Sequence, residues 1–280
     1  AMRIEDETFV IDKMQVSLVS NTKDLIIKKR EYEAMSKKER RAEAERNRVA
    51  FIMANPSFYS STKLAEKALS TQKRGDDRSA YINPLPGTKI ESEAIKKFFD
   101  LENWDTRQYY SEENAKESII KTFSKRARSP RLMHIATHGF FNKSVADEES
   151  VFEENSNDVL KNNPLLQSGL LLSNAGDLLS KNVNSDAVLI GDGVLTAYEV
   201  MNLNLGDTEL VVLSACETGR GDIQSGEGVF GLQRAFLVAG ADAIVMSLFK
   251  VPDTETAELM SIFSHKWLLL GTDKRQAFRE

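Results

Sequence analysis

Cysteine is almost missing: the 280 residues hold one, Cys216. A single cysteine closes no internal disulfide, so a reducing, cytoplasmic setting is the expectation. Histidine is scarce as well, at 134, 138 and 265, and one thiol with scattered imidazoles gives no zinc-type ligand spacing. No Gly-Lys-Ser/Thr and no dinucleotide fingerprint accompany the glycines, so neither metal nor nucleotide cofactor is expected. No apolar run approaches the ~20 residues of a membrane span, and no secretory signal opens the chain. Ala1-Met2 reads as a cloning remnant. Neither sign of charge dominates: 37 basic against 42 acidic residues leave −5, too mild to imply a nucleic-acid or membrane partner. What is present is an ordinary globular composition, 41% hydrophobic and 28% charged, in a chain long enough to bury a large core.

Against that background one stretch stands out. Leu210–Leu213 is an apolar run of strand length, followed by small residues and a loop punctuated by Gly219, Gly221, Gly226 and Gly228. Strand, glycine loop, then helix is the βα turn at the carboxyl end of a parallel strand, where open α/β sheets place ligands. Cys216 lies at that strand end. Arg131–Gly139 repeats the pattern, with His138 and Gly139 closing an apolar strand. A thiol and an imidazole at the ends of two strands of one sheet can meet although far apart in sequence. The imidazole would take the thiol proton and return it to a leaving amine. Gly139, lacking a Cβ, can turn its N–H toward an oxyanion beside the N–H of Cys216. His134 points by alternation to the same face as His138 but deeper, and reads as a core or supporting histidine. His265, on the last helix, reads as structural.

In chain order, Phe9–Val19 alternates as a half-buried strand. Lys28–Arg48 is dense in Lys, Arg and Glu with no interleaved aromatics, so it reads as a solvated helical insertion or tether rather than a nucleic-acid surface. Val49–Ala54 is a strand stopped by Asn55-Pro56. Thr88 and Glu91 fit a capping box opening a helix with Ile90, Ala94, Ile95, Phe98 and Phe99 on one face. A strand over Trp104–Tyr110 follows, then Ser111 as a cap for a helix bearing Ala115, Ile119, Ile120 and Phe123. Asn142–Asn163 is acidic, asparagine-rich and aperiodic, a mobile surface loop. A strand over Pro164–Ser173, a short helix capped by Thr196, a helix over Gly228–Ala239, a strand over Ala243–Phe249 and a last helix from Asp253 or Thr254 to Leu270 complete the pattern. Ala277–Glu280 reads as the opening of another helix. Alternating strands and helices predict an α/β fold: a mostly parallel sheet of about six strands with helices on both faces, within a single domain over 1–280.

His134-Ile-Ala-Thr-His-Gly-Phe-Phe141, Asn163-Pro-Leu-Leu-Gln-Ser-Gly-Leu-Leu-Leu172, Asp192-Gly-Val-Leu-Thr-Ala197 and Leu213-Ser-Ala-Cys-Glu-Thr-Gly219 resemble blocks of the CHAT family. So do Gly226–Phe236 and Lys250-Val-Pro-Asp253. These caspase-like domains are usually carried on bacterial tetratricopeptide-repeat proteins and are related more distantly to caspases and separase. The resemblance implies a caspase-type fold and a cysteine endopeptidase acting on a protein or peptide substrate. His138 would be the base, Cys216 the nucleophile, and the N–H groups of Gly139 and Cys216 the oxyanion hole. It also implies latency until a sensor or activating partner frees the cleft. Since the repeats are missing upstream and the family usually continues with a helix and a strand, the chain is expected to be an excised, C-terminally shortened domain. In such folds the residue two before the cysteine, here Ser214, lines the first specificity pocket. Asp192 and Glu217 are candidate acids there, favouring Lys or Arg before the scissile bond. The competing readings are a catalytically silent interaction module of the same fold and a Cys–His amidase acting on small molecules.

Overall fold

The computed structural model describes residues 3–5, 8–9, 36, 47–73, 81–141, 165–166, 168–180, 192–215, 227–246, 253–270 and 276–277. The chain divides into two units, Ala1–Arg46 and Asn47–Glu280. In the first, the described elements are β1 (Arg3–Glu5) and β2 (Thr8–Phe9), an antiparallel pair. The predicted strand beyond Phe9 and nearly all of the charged Lys28–Arg48 segment lie outside the described residues, as does the Asn142–Asn163 loop.

The second unit is built on five parallel strands. They are β3 (Val49–Pro56), β4 (Asp105–Glu112), β5 (Leu132–Ala136), β9 (Leu210–Ser214) and β10 (Ile244–Met246), in the order β10-β9-β5-β3-β4. The near-continuous apolar sequences of β3, β5 and β9 follow from burial on both faces, which a parallel sheet with helical crossovers imposes. Alternation within each strand then sorts side chains to two layers. Phe51 and Met53 of β3, Met133 and Ile135 of β5, and Val211 and Leu213 of β9 point one way. They meet α3 (Glu117–Lys121), α5 (Ala197–Val200) and α6 (Glu227–Val238) through Ile120, Val200, Leu232 and Phe236. Ala50, Ile52, Leu132, Leu210 and Val212 point the other way, toward Ile95 and Phe99 of α2 (Pro86–Leu101) and Met260 and Phe263 of α7 (Asp253–Ser264). A wider helical turn over His265–Leu269 extends α7. Each fully buried large side chain here contributes about 1.5–3 kcal/mol.

A separate three-stranded antiparallel sheet branches from the end of β5. It comprises β6 (His138–Phe141), β7 (Ser168–Leu171) and β8 (Val194–Thr196) in the order β6-β7-β8. The helices α1 (Thr62–Lys73) and α4 (Ala175–Ser180) and a 3₁₀ turn over Thr122–Ser124 are also present. Thr196 caps α5, as the sequence predicts, and the structure adds a full capping box with Glu199.

Three expectations change. The helix predicted to open at Thr88 starts earlier, at Pro86, whose missing N–H suits a first-turn position. Thr88 instead donates its hydroxyl to the Leu85 carbonyl at 2.7 Å and accepts the Asn55 N–H at 3.1 Å. Glu91 is therefore not a capping residue. It belongs to the buried row Glu91, Ile95, Phe99, while Ile90 is 69% exposed. Second, Ser111 does not cap a helix, because β4 runs through it to Glu112 and α3 begins after Lys116. Third, the two-residue alternation of β5 does not continue to His138. The Thr137 N–H still closes the last β5–β9 rung, on the Ser214 carbonyl at 3.1 Å, but its hydroxyl goes to the Leu171 carbonyl, and His138 opens a strand of the other sheet.

Gly193, at the entry to β8, has φ +85°, and a Cβ there would stand 2.4 Å from the Ser173 carbonyl oxygen and 2.5 Å from the Ala175 nitrogen. A side chain at that position meets both left-handed strain and backbone that cannot yield. Gly193→Ala is expected to destabilise the chain by roughly 2 kcal/mol or more. A thermal-denaturation midpoint equal to that of the parent chain would contradict this account.

Candidate active site

The parallel pairing of β5 and β9 runs Leu132↔Leu210, Met133↔Val211, His134↔Val212, Ile135↔Leu213 and Ala136↔Ser214. Ala136 is two residues before His138, and its partner Ser214 is two residues before Cys216. Cys216 and Glu217 themselves lie outside the described residues.

His138 is buried, and its Nε2 stands 2.8 Å from the carbonyl oxygen of Asn83 in the loop leading to α2. A carbonyl only accepts, so Nε2 carries the hydrogen. The proton-accepting atom of the neutral ring is then Nδ1. Phe58 packs a ring at 5.2 Å against the imidazole and walls off one side. The imidazole is thus fixed in tautomer and in orientation by backbone and by packing. Gly139 follows in β6 with Leu170 as its partner.

Ser214 is 7% exposed and donates its hydroxyl to Glu91 Oε2 at 2.9 Å. Glu91 Oε1 lies 3.0 Å from His134 Nε2, an ion-pair distance with an angle too oblique for a good hydrogen bond. Both side chains are almost fully buried. His134 is thus a buried supporting residue, as expected, with Glu91 facing it.

A family model of the CHAT domain matches residues 1–280. The chain belongs to the CHAT family. This is a caspase-like, peptidase-related family, and the parallel α/β core agrees with that fold. No curated protein matches the sequence.

Within this CHAT domain Asp192 sits at the entry to β8, which is separated from β6 by β7. It accepts the Val194 N–H at 2.8 Å. Beside it, the buried Glu117 accepts the Gly193 N–H at 3.1 Å and pairs with Lys121, which also reaches Glu199 at 2.5 Å. Burial is the main cause that raises both carboxyls, Glu117 to about 7, against the pull of Lys121. Among the described residues no group of three or more His, Cys, Asp or Glu side chains is arranged to hold a metal ion. His265, exposed on the wider turn after α7, places its ring 5.8 Å from Phe98. No described helix is long and apolar enough to cross a membrane.

Two contributors escaped the sequence. The Asn83 contact uses a main-chain carbonyl, which any residue type supplies, so no side-chain motif marks it. Glu91 carried a signal, an acid at the third position after a threonine, but the capping-box pattern offered a local use for it.

The Glu117 titration has a testable consequence. A carboxyl whose native pKa is raised above its ordinary 4.5 contributes stability that is fully present below that value and is lost as pH rises through about 7. Asp192, also raised, acts in the same direction. Glu117→Gln is expected to flatten this fall, as measured by urea unfolding at stepped pH. Parallel stability curves for the two chains would refute the assignment.

Proposed function

We propose that the chain is a cysteine endopeptidase in which Cys216 is the nucleophile and His138 the general base. The observation that carries this reading is the β5–β9 register, in which equal two-residue steps from paired positions lead to His138 and to Cys216. The Asn83 carbonyl supports it further, since it leaves Nδ1 of His138 as the basic atom. An unassisted thiol of pKa ~8.5 is only a few per cent thiolate at neutral pH, so the base is required.

In the proposed reaction Nδ1 takes the thiol proton and the sulfur attacks the scissile carbonyl carbon. The N–H groups of Gly139 and Cys216 are the donors we assign to the oxyanion. Removing one such donor typically costs about 3 kcal/mol. Collapse breaks the C–N bond, the imidazolium returns its proton to the leaving amine, and an acyl-enzyme remains. Water, deprotonated by the same nitrogen, then releases the carboxyl product and the free thiol. A protein or peptide is the substrate class, and release of the cleft by a partner or by associated tetratricopeptide repeats is the activating event. For the side chain before the scissile bond we assign a preference for Lys or Arg to Glu217. Asp192 carries less of it, because its carboxyl already serves the Val194 N–H and Glu117.

Cys216→Ala is expected to abolish peptide cleavage and labelling by a peptidyl electrophile. His138→Ala is expected to slow both by roughly 10²–10⁴-fold. Labelling that ignores the histidine would remove the dyad. Peptides bearing Arg, Asp or Met before the scissile bond are expected to rank Arg first; equal turnover of the three would end the basic-pocket assignment while leaving the dyad intact.

A further inference from the structure

On the α2 face of the sheet the inward positions of β3, β5 and β9 are filled by Ala50, Ile52, Leu132, Leu210 and Val212. Two polar side chains interrupt that surface: His134, midway along β5, and Ser214, the last residue of β9. In the register His134 lies opposite Val212 and Ser214 opposite Ala136, so the two sit diagonally across adjacent strands. Between them stands Glu91 of α2, with Oε2 on the Ser214 hydroxyl and Oε1 3.0 Å from the His134 ring. One carboxyl group thus touches both strands, β9 at its last residue and β5 two residues before its end. The loop leading into the same helix holds the His138 ring through Asn83.

Packing alone gives no reason for a carboxylate here. A leucine at 91 would continue the buried row of Ile95 and Phe99 on the same helix with no charge to desolvate, and buried ion pairs are commonly no more stabilising than apolar substitutes. What the carboxylate adds is direction. One oxygen holds the Ser214 hydroxyl by a hydrogen bond and the other sets a charge beside the His134 ring, neither of which a branched alkyl group supplies.

We infer that Glu91 is a positioning residue: its carboxylate brackets β5 through His134 and β9 through Ser214, and so sets the spacing between His138 and Cys216. The inference rests on the dyad reading and deepens it. It makes residues 83–91 a single bracket, holding the base at one end and the strand that leads to the nucleophile at the other. Glu91 and Ser214 meet no substrate in this role and act through the placement of the dyad.

The sole cysteine makes the test direct. Iodoacetamide alkylation of Cys216 is followed from about pH 6 to about pH 9, a range spanning the ordinary thiol value, in the full chain and in its variants. In the parent chain the alkylation at low pH is expected to depend on His138. Ser214→Ala and Glu91→Gln are each expected to lose about ten-fold of the rate near pH 6 with little change near pH 9, the signature of a thiol pKa shifted by about one unit. Ser214→Thr, which keeps the hydroxyl, is expected to restore the parent profile. Thermal unfolding recorded alongside separates this from a structural role, which would lower the midpoint and leave the profile of the folded protein unmoved. Should Glu91→Gln fail to fold, the contrast of Ser214→Ala with Ser214→Thr decides. Parent-like profiles in all these variants, with His138→Ala still different, would overturn the bracket and spare the dyad. A His138→Ala profile identical to the parent's would overturn both.

Discussion

The register between β5 and β9 is the constraint on which the site depends. Parallel strands hydrogen-bond at a fixed spacing, and a slip of one residue would send every side chain to the opposite face. With Met133, Ile135, Val211 and Leu213 committed to one core and Leu132, Leu210 and Val212 to the other, that slip is forbidden by burial on both sides. The hydrophobic layers hold the pairing, and the pairing fixes the relation between the two strand ends. Chemistry at those ends is specified by packing well inside the sheet.

The inner strands β5 and β9 carry two buried polar side chains, His134 and Ser214, in otherwise apolar runs. His134, Ser214 and Glu91 are buried together, and Thr137 ties the exit of β5 to β7 and β9. Desolvated polar groups are costly unless paired, and the Ser214–Glu91 hydrogen bond is the pairing that holds this cluster, with His134 at ion-pair distance from the same carboxyl group. A second buried polar cluster, Glu117 with Lys121, Glu199 and Asp192, anchors the entry to β8. There the left-handed Gly193 leaves no room for a Cβ against the Ser173 and Ala175 backbone. The first cluster joins α2 to β5 and β9, and the second joins α3 and α5 to the entry of β8.

Several elements could be read directly from the residues. The apolar runs of β3, β5 and β9 and the helix cap at Thr196 are local patterns, and they form where the residues place them. The α2 face was misjudged by about one position. Apolar Ile90 and buried Glu91 reverse the usual assignment, and only the partners across the interface, His134 and Ser214, account for an acid facing inward. The break at Thr137 was equally hidden, because His138 continues the apolar rhythm of the preceding strand in sequence while changing sheets in space.

Family membership, the α/β class and the residue types required for thiol chemistry are properties of the sequence itself, because they rest on composition, short-range periodicity and contiguous motif blocks. What the tertiary structure alone decided is which distant residues meet. Asn83 reaches His138, Glu91 joins β5 to β9, and Asp192 is drawn into an acid cluster around Glu117. Those contacts follow from strand order and helix rotation against the sheet, which depend on the sum of many burial energies and leave no mark in any one stretch of chain.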